Sequence, residues 1–205
     1  MTKTTPCRFS LEPTDETRPL AAKSALVTGA SSGIGRAIAV ALARQGANLC
    51  VVGRNAQNLT ETADAVRQVS SVESIRIDLT DDNALGSLLQ CSHQLNGILV
   101  HSAGIFHQDL MAQASVADFD RQYAINVRAP YVLTQLLLPK LIATQGQLVF
   151  INSSAGVVGH RLKVGQYAAT KHALKAIADN AYGMVAIAIF ECPLSRLLSS
   201  TEVAA

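Results

Sequence analysis

Residues 25–44, ALVTGASSGIGRAIAVALAR, constrain the fold more than any other stretch of the chain. Ala25, Leu26 and Val27 read as a short buried strand, and Thr28 to Gly33 as a loop of small residues. From Ile34 the apolar residues Ile34, Ala37, Ile38, Ala41 and Leu42 follow the spacing of one helix face, and Gly46 stands where that helix should stop. Gly29, Gly33 and Gly35 therefore sit where a strand turns into a helix. Glycine permits positive φ and close approach to the backbone, and a helix N-terminus offers unpaired N–H groups and the positive end of its dipole. Together they make a site for a pyrophosphate. The spacing is G-x-x-x-G-x-G rather than the usual G-x-G-x-x-G, and any tight strand-to-helix loop can use glycines. The strand before and the amphipathic helix after favour the dinucleotide reading.

A second landmark lies nineteen residues past Gly35. A strand over Asn48–Val52 ends in Gly53-Arg54-Asn55, the point where such folds meet the adenosine ribose. An acid there would accept hydrogen bonds from a free 2′-hydroxyl. Arg54 stands there instead, and a guanidinium suits a 2′-phosphate. Ser31 and Ser32 offer further hydroxyl donors. The expectation is NADP(H) in preference to NAD(H), with a solvated arginine at the start of the next helix as the plainer alternative.

The rest of the chain keeps alternating. The pattern predicts a helix over Asn58–Ser70, a strand over Ser74–Leu79, and a short helix capped by Thr80 or Asp81 and running through Leu89. A strand follows at Gly97–Ser102, then a loop holding Gly104, then a long helical region over Val116–Leu138 with a break or kink at Pro130. Gln147–Asn152 reads as a strand, Gln166–Asn180 as a helix and Val185–Phe190 as a sixth strand. Strands that are apolar runs between helices belong to a parallel sheet covered on both faces. The expected fold is α/β: a Rossmann-like, doubly wound sheet in a single domain. The expected divisions are a disordered arm over 1–21, a dinucleotide-binding catalytic domain over 22–192 and an irregular tail over 193–205.

Bulk properties exclude other classes. With 49% hydrophobic and 16% charged residues in 205, the chain can bury a core and is not globally disordered. A net charge of +2 with no dense basic run argues against a nucleic-acid partner. The cysteines, Cys7, Cys50, Cys91 and Cys192, are scattered, and the histidines lack metal-ligand spacing, so no disulfide framework and no metal site is expected. The first twenty residues are broken by Pro6, Pro13 and Pro19 and lack a signal-peptide core. The apolar run Met184–Phe190 is too short to span a bilayer. A cytoplasmic protein without a membrane segment is the expectation.

Tyr167 and Lys171 stand at i and i+4, on one face of the predicted helix. A free tyrosine titrates near ~10, so proton exchange near neutrality needs roughly three units of help, about 4 kcal/mol. An ammonium ~5 Å away at an effective dielectric of about 20 supplies roughly 3 kcal/mol. Such a pair beside a nucleotide makes a general acid/base. Ser154, after the fifth strand, is placed to hold a substrate oxygen, and Asn126 to order a water; taken singly, each residue also serves as a cap or a buried hydrogen-bond partner.

With these residues in view, the chain resembles the short-chain dehydrogenase/reductase family over residues 22–179. The matching segments are TGASSGIG at 28–35, RIDLT at 76–80, HSAG at 101–104, IN at 125–126, INSSAG at 151–156 and YAATK at 167–171. The resemblance implies that Gly29, Gly33, Ile34 and Gly35 wrap the pyrophosphate and that Arg54 meets a 2′-phosphate. It implies that Asp78 and Leu79 contact adenine and that Ala103 and Gly104 line the adenosine side. Ser154 would orient a carbonyl or hydroxyl, Tyr167 pass the proton, Lys171 hold the nicotinamide ribose and tune Tyr167, and Asn126 complete a proton relay. Ser154, thirteen residues before Tyr167, rather than Ser153, keeps the family spacing. The implied substrate is a small alcohol or carbonyl compound, and the implied assembly a homodimer or homotetramer.

The C-terminal part departs from the family. Glu191-Cys192-Pro193 stands where a Pro-Gly turn is usual, and the substrate-covering segment and last strand are missing from the pattern. The alternative expectation is therefore a catalytically weak or inactive nucleotide-binding or dimerising module.

Overall fold

A computed structural model describes residues 18–91, 95–158 and 163–193. Most of the expected arm (residues 1–17) and of the expected tail (194–205) lies outside the described residues, as do Cys7, His93 and His160. Six strands and six helices alternate along the chain: β1 (Ser24–Thr28), α1 (Gly33–Arg44), β2 (Asn48–Gly53), α2 (Ala56–Arg67), β3 (Val72–Arg76), α3 (Asp82–Cys91), β4 (Ile98–His101), α4 (Val116–Tyr123), α5 (Ala129–Ala143), β5 (Gln147–Ser153), α6 (Gly165–Ala181) and β6 (Ala186–Cys192). The strands make one sheet in the order β3-β2-β1-β4-β5-β6. The architecture is the expected Rossmann-like α/β fold. Its contacts fall into two compact units, Met1–Leu99 and Val100–Ala205, the division lying inside β4.

In the first unit, β1 pairs in parallel with β2 from Ser24↔Asn48 to Thr28↔Val52. All five β1 residues are buried, as an apolar strand covered on both faces must be. The helix α1 stops where Gly46 takes a φ of 99°, and Gly46 N–H and Ala47 N–H donate to the carbonyls of Ala43 and Leu42. Residues 18–23 form hydrogen-bonded turns, with Leu20 N–H donating to the Gln45 carbonyl. The helix α2 begins two residues before the expected Asn58, because the Asn55 side chain caps it by accepting from Asn58 N–H at 3.0 Å.

The strand β3 lies two residues earlier than the pattern predicts. Its ladder with β2 runs from Leu49↔Val72 to Gly53↔Arg76. The alternation of Ile75, Ile77 and Leu79 continues past the ladder, but Asp78 bends the chain by accepting from the N–H and hydroxyl of Thr80. Asp81 then caps α3, its carboxylate accepting from Asn83 N–H at 2.9 Å.

In the second unit, α4 and α5 are joined by one π-helical turn, Ala124–Arg128, in which Ala129 N–H reaches back five residues to the Ala124 carbonyl. The irregularity expected at Pro130 therefore lies just ahead of it. Pro130 has no N–H to give the Asn126 carbonyl, so the regular backbone bond is missing there. The helix α5 runs past Leu138 and carries Pro139 inside it. It ends where Gln145 takes a φ of 51°. The strands β5 and β6 pair from Gln147↔Ala186 to Ser153↔Cys192, so β6 continues through Glu191 and Cys192, two residues past its expected end at Phe190.

Candidate functional site

Each unit gathers its own set of candidate residues. In the first, Gly29 and Gly33 have φ of 66° and 54°, the left-handed region that side chains other than glycine's rarely adopt. Ser32 is the extended residue ahead of α1, and its side chain makes no cap hydrogen bond. Ile34 is 40% exposed although it is apolar, whereas Gly35 is buried in the first turn. The glycine turn is tied to β2 by Ala30 N–H, which donates to the Val52 carbonyl at 3.0 Å. A Cβ at residue 53 would lie 2.0 Å from Ser31 Oγ, so only glycine there lets the Ser31 hydroxyl lie where it does.

Arg54 follows, exposed, and its carbonyl accepts from Arg76 Nε at 3.2 Å. Arg76 is a second cation at this strand end that sequence reading passed over. The signal was the pairing of β3 with β2, which the misplaced strand hid. Asp78 is exposed, with its carboxylate engaged by Thr80, and Leu79 is buried.

In the second unit, the four expected catalytic positions lie on three elements. Asn126 sits in the π-helical turn, Ser154 in the short turn just past β5, and Tyr167 with Lys171 on α6. Tyr167 is 4% and Lys171 5% exposed. Lys171 Nζ lies 5.7 Å from the centre of the Tyr167 ring and donates to the Ile151 carbonyl at 2.9 Å. The Tyr167 ring meets Phe106 edge to face at 4.9 Å. Ala155, Val164 and Ala168 complete this apolar surround.

Burial dominates the titration of both groups. It pushes Tyr167 up to about 12, opposed by a hydrogen bond from Ser153, with the sulfur of Cys192 adding a smaller upward push. Cys192 lies opposite Ser153 in the β5–β6 register. Burial takes Lys171 down to about 8, with Cys192 pulling the other way. The downward shift of Tyr167 expected from Lys171 does not arise within the protein, where burial sets the direction.

The side chain bonded to Tyr167 is Ser153, which is fully buried and also accepts from Ala155 N–H at 3.2 Å. Ser154, the residue chosen by spacing, opens the short 3-10 turn Ser154–Gly156, and its carbonyl accepts from the N–H groups of Val157 and Val158.

The Asn126 amide is fully engaged. Its Oδ1 accepts from Ile105 N–H at 2.8 Å, and its Nδ2 donates to the Ile105 carbonyl at 2.9 Å and to Thr170 Oγ1 at 3.1 Å. Thr170 in turn donates to the Tyr167 carbonyl at 2.7 Å. Asn126 therefore clamps the loop after β4 to α6. Gly104 belongs to the same cluster: a Cβ there would lie 3.3 Å from Asn126 Oδ1 and 4.0 Å from Lys171 Nζ. Ala103 precedes it on the same loop. Among the described residues, no group of three histidine, cysteine or acidic side chains could hold a metal ion, and no helix is long and apolar enough to cross a membrane.

Residues 23–186 match the family described as short chain dehydrogenase. The chain belongs to the short-chain dehydrogenase family. It is 36% identical over 158 residues to the uncharacterized oxidoreductase YciK of Escherichia coli (strain K12), covering 72% of this chain and 62% of that one. It is 32% identical over 142 residues to the 3-oxoacyl-(acyl-carrier-protein) reductase FabG of Rickettsia prowazekii (strain Madrid E), covering 69% of this chain and 58% of that one. The chain thus spans less than two thirds of the length of either relative. A metagenomic short-chain oxidoreductase in complex with NADP is similar in structure, with a TM-score of 0.75 at 28% identity over 83% of this chain and 82% of that one.

Two features of this short-chain dehydrogenase were beyond sequence reading. Phe106 carries no motif, and only the fold of the loop after β4 brings it to Tyr167. The bond between Ser153 and Tyr167 was hidden because counting thirteen residues back from Tyr167 lands on its neighbour.

Proposed function

We propose that this short-chain dehydrogenase is an NADP(H)-dependent oxidoreductase that interconverts an alcohol and a carbonyl compound. The observation that carries the reading is the buried cluster of Ser153, Tyr167 and Lys171 around the end of β5. The first unit fits a dinucleotide on three counts: positive φ at Gly29 and Gly33, the N-terminus of α1, and a Gly53 surface on which the Ser31 hydroxyl rests. Gly29, Gly33, Ile34 and Gly35 would hold its pyrophosphate. Arg54, with Arg76 and the hydroxyls of Ser31 and Ser32, would meet a 2′-phosphate, and Asp78, Leu79, Ala103 and Gly104 would serve the adenosine. NAD(H) remains the alternative cofactor. When bound, the dinucleotide supplies or takes up the hydride.

The protein's own residues handle the proton and the substrate oxygen. In reduction, Tyr167 holds its proton firmly at neutral pH and gives it from Oη to the substrate oxygen as negative charge builds there. Ser154 donates a hydrogen bond to the same oxygen, while the fully buried Ser153 holds Tyr167 beside it. Lys171, still mostly protonated at pH 7, stabilises the resulting tyrosinate and holds the nicotinamide ribose. Asn126 acts through its backbone: its amide is used by Ile105 and Thr170, and Pro130 brings no N–H to its carbonyl, which would order the water of a proton relay.

The experiment is carbonyl-dependent NADPH oxidation over a panel of small ketones and 3-oxoacyl thioesters. The parent should turn over at least one substrate, and Tyr167→Phe should bind NADPH normally and show no turnover. Unchanged turnover in that variant sinks the assignment.

A second reading, a nucleotide-binding or dimerising module with little activity, is favoured by β6, none of whose residues is fully buried. Calorimetric titration with NADPH separates the two, since tight binding without turnover on any carbonyl supports the module. Homodimer or homotetramer formation and a cytoplasmic location complete the proposal.

A further inference from the structure

Arg36 stands one residue beyond Gly35, in the first turn of α1, and its guanidinium turns back onto the glycine loop. Its Nε donates to Thr62 Oγ1 at 2.9 Å. Its Nη2 lies 2.7 Å from the Ser31 carbonyl, 2.9 Å from the Asn58 carbonyl and 3.1 Å from Glu61 Oε2. Two hydrogens on Nη2 serve three acceptors, and the half-exposed Glu61 carboxylate is the farthest of them. Thr62 is fully buried on α2, and its hydroxyl lies 2.9 Å from the Ala30 carbonyl and 3.0 Å from the Asn58 carbonyl. That hydroxyl has one proton to give, and the buried Ala30 carbonyl is the nearer acceptor.

The consequence is a turn held on both sides. The carbonyls of Ala30 and Ser31, successive residues, are gripped by Thr62 from α2 and by Arg36 from α1. On the other side, Ala30 N–H bonds the Val52 carbonyl, and the Ser31 hydroxyl lies against Gly53, the residue before Arg54. The position of the Ser31 hydroxyl is thus set by groups that carry no glycine-motif signal.

We propose that Arg36 and Thr62 are positioning residues for discrimination of the 2′-phosphate, acting through Ser31. This rests on the reading above that the glycine turn takes a dinucleotide and that Arg54 meets its 2′-phosphate. Freeing the Ala30 and Ser31 carbonyls lets the turn shift as a unit, which moves Ser31 Cα and carries the hydroxyl away from the end of β2. A ligand with a 2′-phosphate loses a contact; one with a 2′-hydroxyl loses little.

The test is calorimetric binding of NADPH and of NADH to the full chain, with thermal unfolding of each variant alongside. Arg36→Met and Thr62→Val should each weaken NADPH tenfold or more and NADH less than threefold. Thr62→Ser, which keeps the hydroxyl, should restore parent affinity. Arg36→Lys should not, because an ammonium cannot serve Thr62 Oγ1 and the Ser31 carbonyl in the same fork. Glu61→Gln, which touches only the exposed ion pair, should bind as the parent does. If Arg36→Met does not fold, Arg36→Lys and Thr62→Val carry the same comparison. Equal losses for the two dinucleotides, tracking a lower melting temperature, overturn the inference and make the network merely structural. So does parent-like binding in every variant. A parent that binds neither dinucleotide, or binds both equally, overturns the cofactor reading and the inference with it.

Discussion

Burial moves Tyr167 and Lys171 in opposite directions on the pH scale because it penalises the charged form of each. Tyr167 at about 12 keeps its proton throughout the physiological range, and Lys171 at about 8 gives its own up as the medium turns alkaline. If reduction needs the Lys171 ammonium, kcat/KM for a carbonyl substrate should be flat near neutrality and fall as pH rises through about 8. A profile flat to pH 10 would refute that role. The serines give a sharper comparison. Removing one donor to a developing oxyanion costs roughly 10²–10³ in kcat. Ser154→Ala should lose that much, and Ser153→Ala less than tenfold; the reverse order would give the role to Ser153. His101 carries a different consequence. Its ring stacks on Phe150, and its Nε2 lies 2.8 Å from Thr134 Oγ1. Complete burial lowers its pKa from 6.5 to about 3. Below pH 6.5 the unfolded chain takes up a proton that the folded ring refuses. Stability is therefore fully present above that pH and declines toward pH 3, by about 1.4 kcal/mol per unit. Urea unfolding between pH 7.5 and 4.5 should show this slope in the parent and a shallower one in His101→Gln.

The π-helical turn between α4 and α5 is the element that the helical periodicity misjudged. Its cause is legible, since Pro130 removes the N–H that would bond the Asn126 carbonyl. Its location is not, because a proline can be met by a kink, a break or a wider turn, and the packing of Ile125, Asn126 and Val127, all buried, selects the last. Pro130→Ala restores the donor. We expect the variant to melt no lower than the parent while carbonyl turnover falls at least tenfold, because a regular helix rotates Asn126 away from Ile105 and Thr170. Full activity would show the turn to be incidental. Strand positions were legible wherever the apolar run was continuous, as in β1 and β5. The misplacement of β3 has a plain reason. Its residues are only half-buried or exposed, so burial did not mark its ends, and pairing with β2 did.

For the molecule as a whole, the sheet is unevenly protected. In β5 every residue after Gln147 is buried, whereas β6 has none fully buried and exposes 60% of Phe190. Amide exchange should therefore be faster across Ala186–Phe190 than across Leu148–Ile151; equal protection would contradict it. Tyr131, Leu136 and Ile142 lie exposed on α5, whose Leu133, Leu137 and Leu141 are buried, so the helix is apolar on both sides. An apolar outer face favours association. Light scattering should give a homodimer or larger species, and a stable monomer would count against it. Local chemistry was enough to place the glycine turn, the alternation of strands and helices and the Tyr167–Lys171 pair, because steric limits, amphipathic period and helical spacing act within a few residues. Tertiary structure alone decided that Ser153 meets Tyr167, that Phe106 walls it in, that Arg36 grips Ser31 and that burial sets the Tyr167 proton. Each of those depends on which distant residues are brought together and how much water they exclude, and neither quantity is carried by any short stretch of the chain.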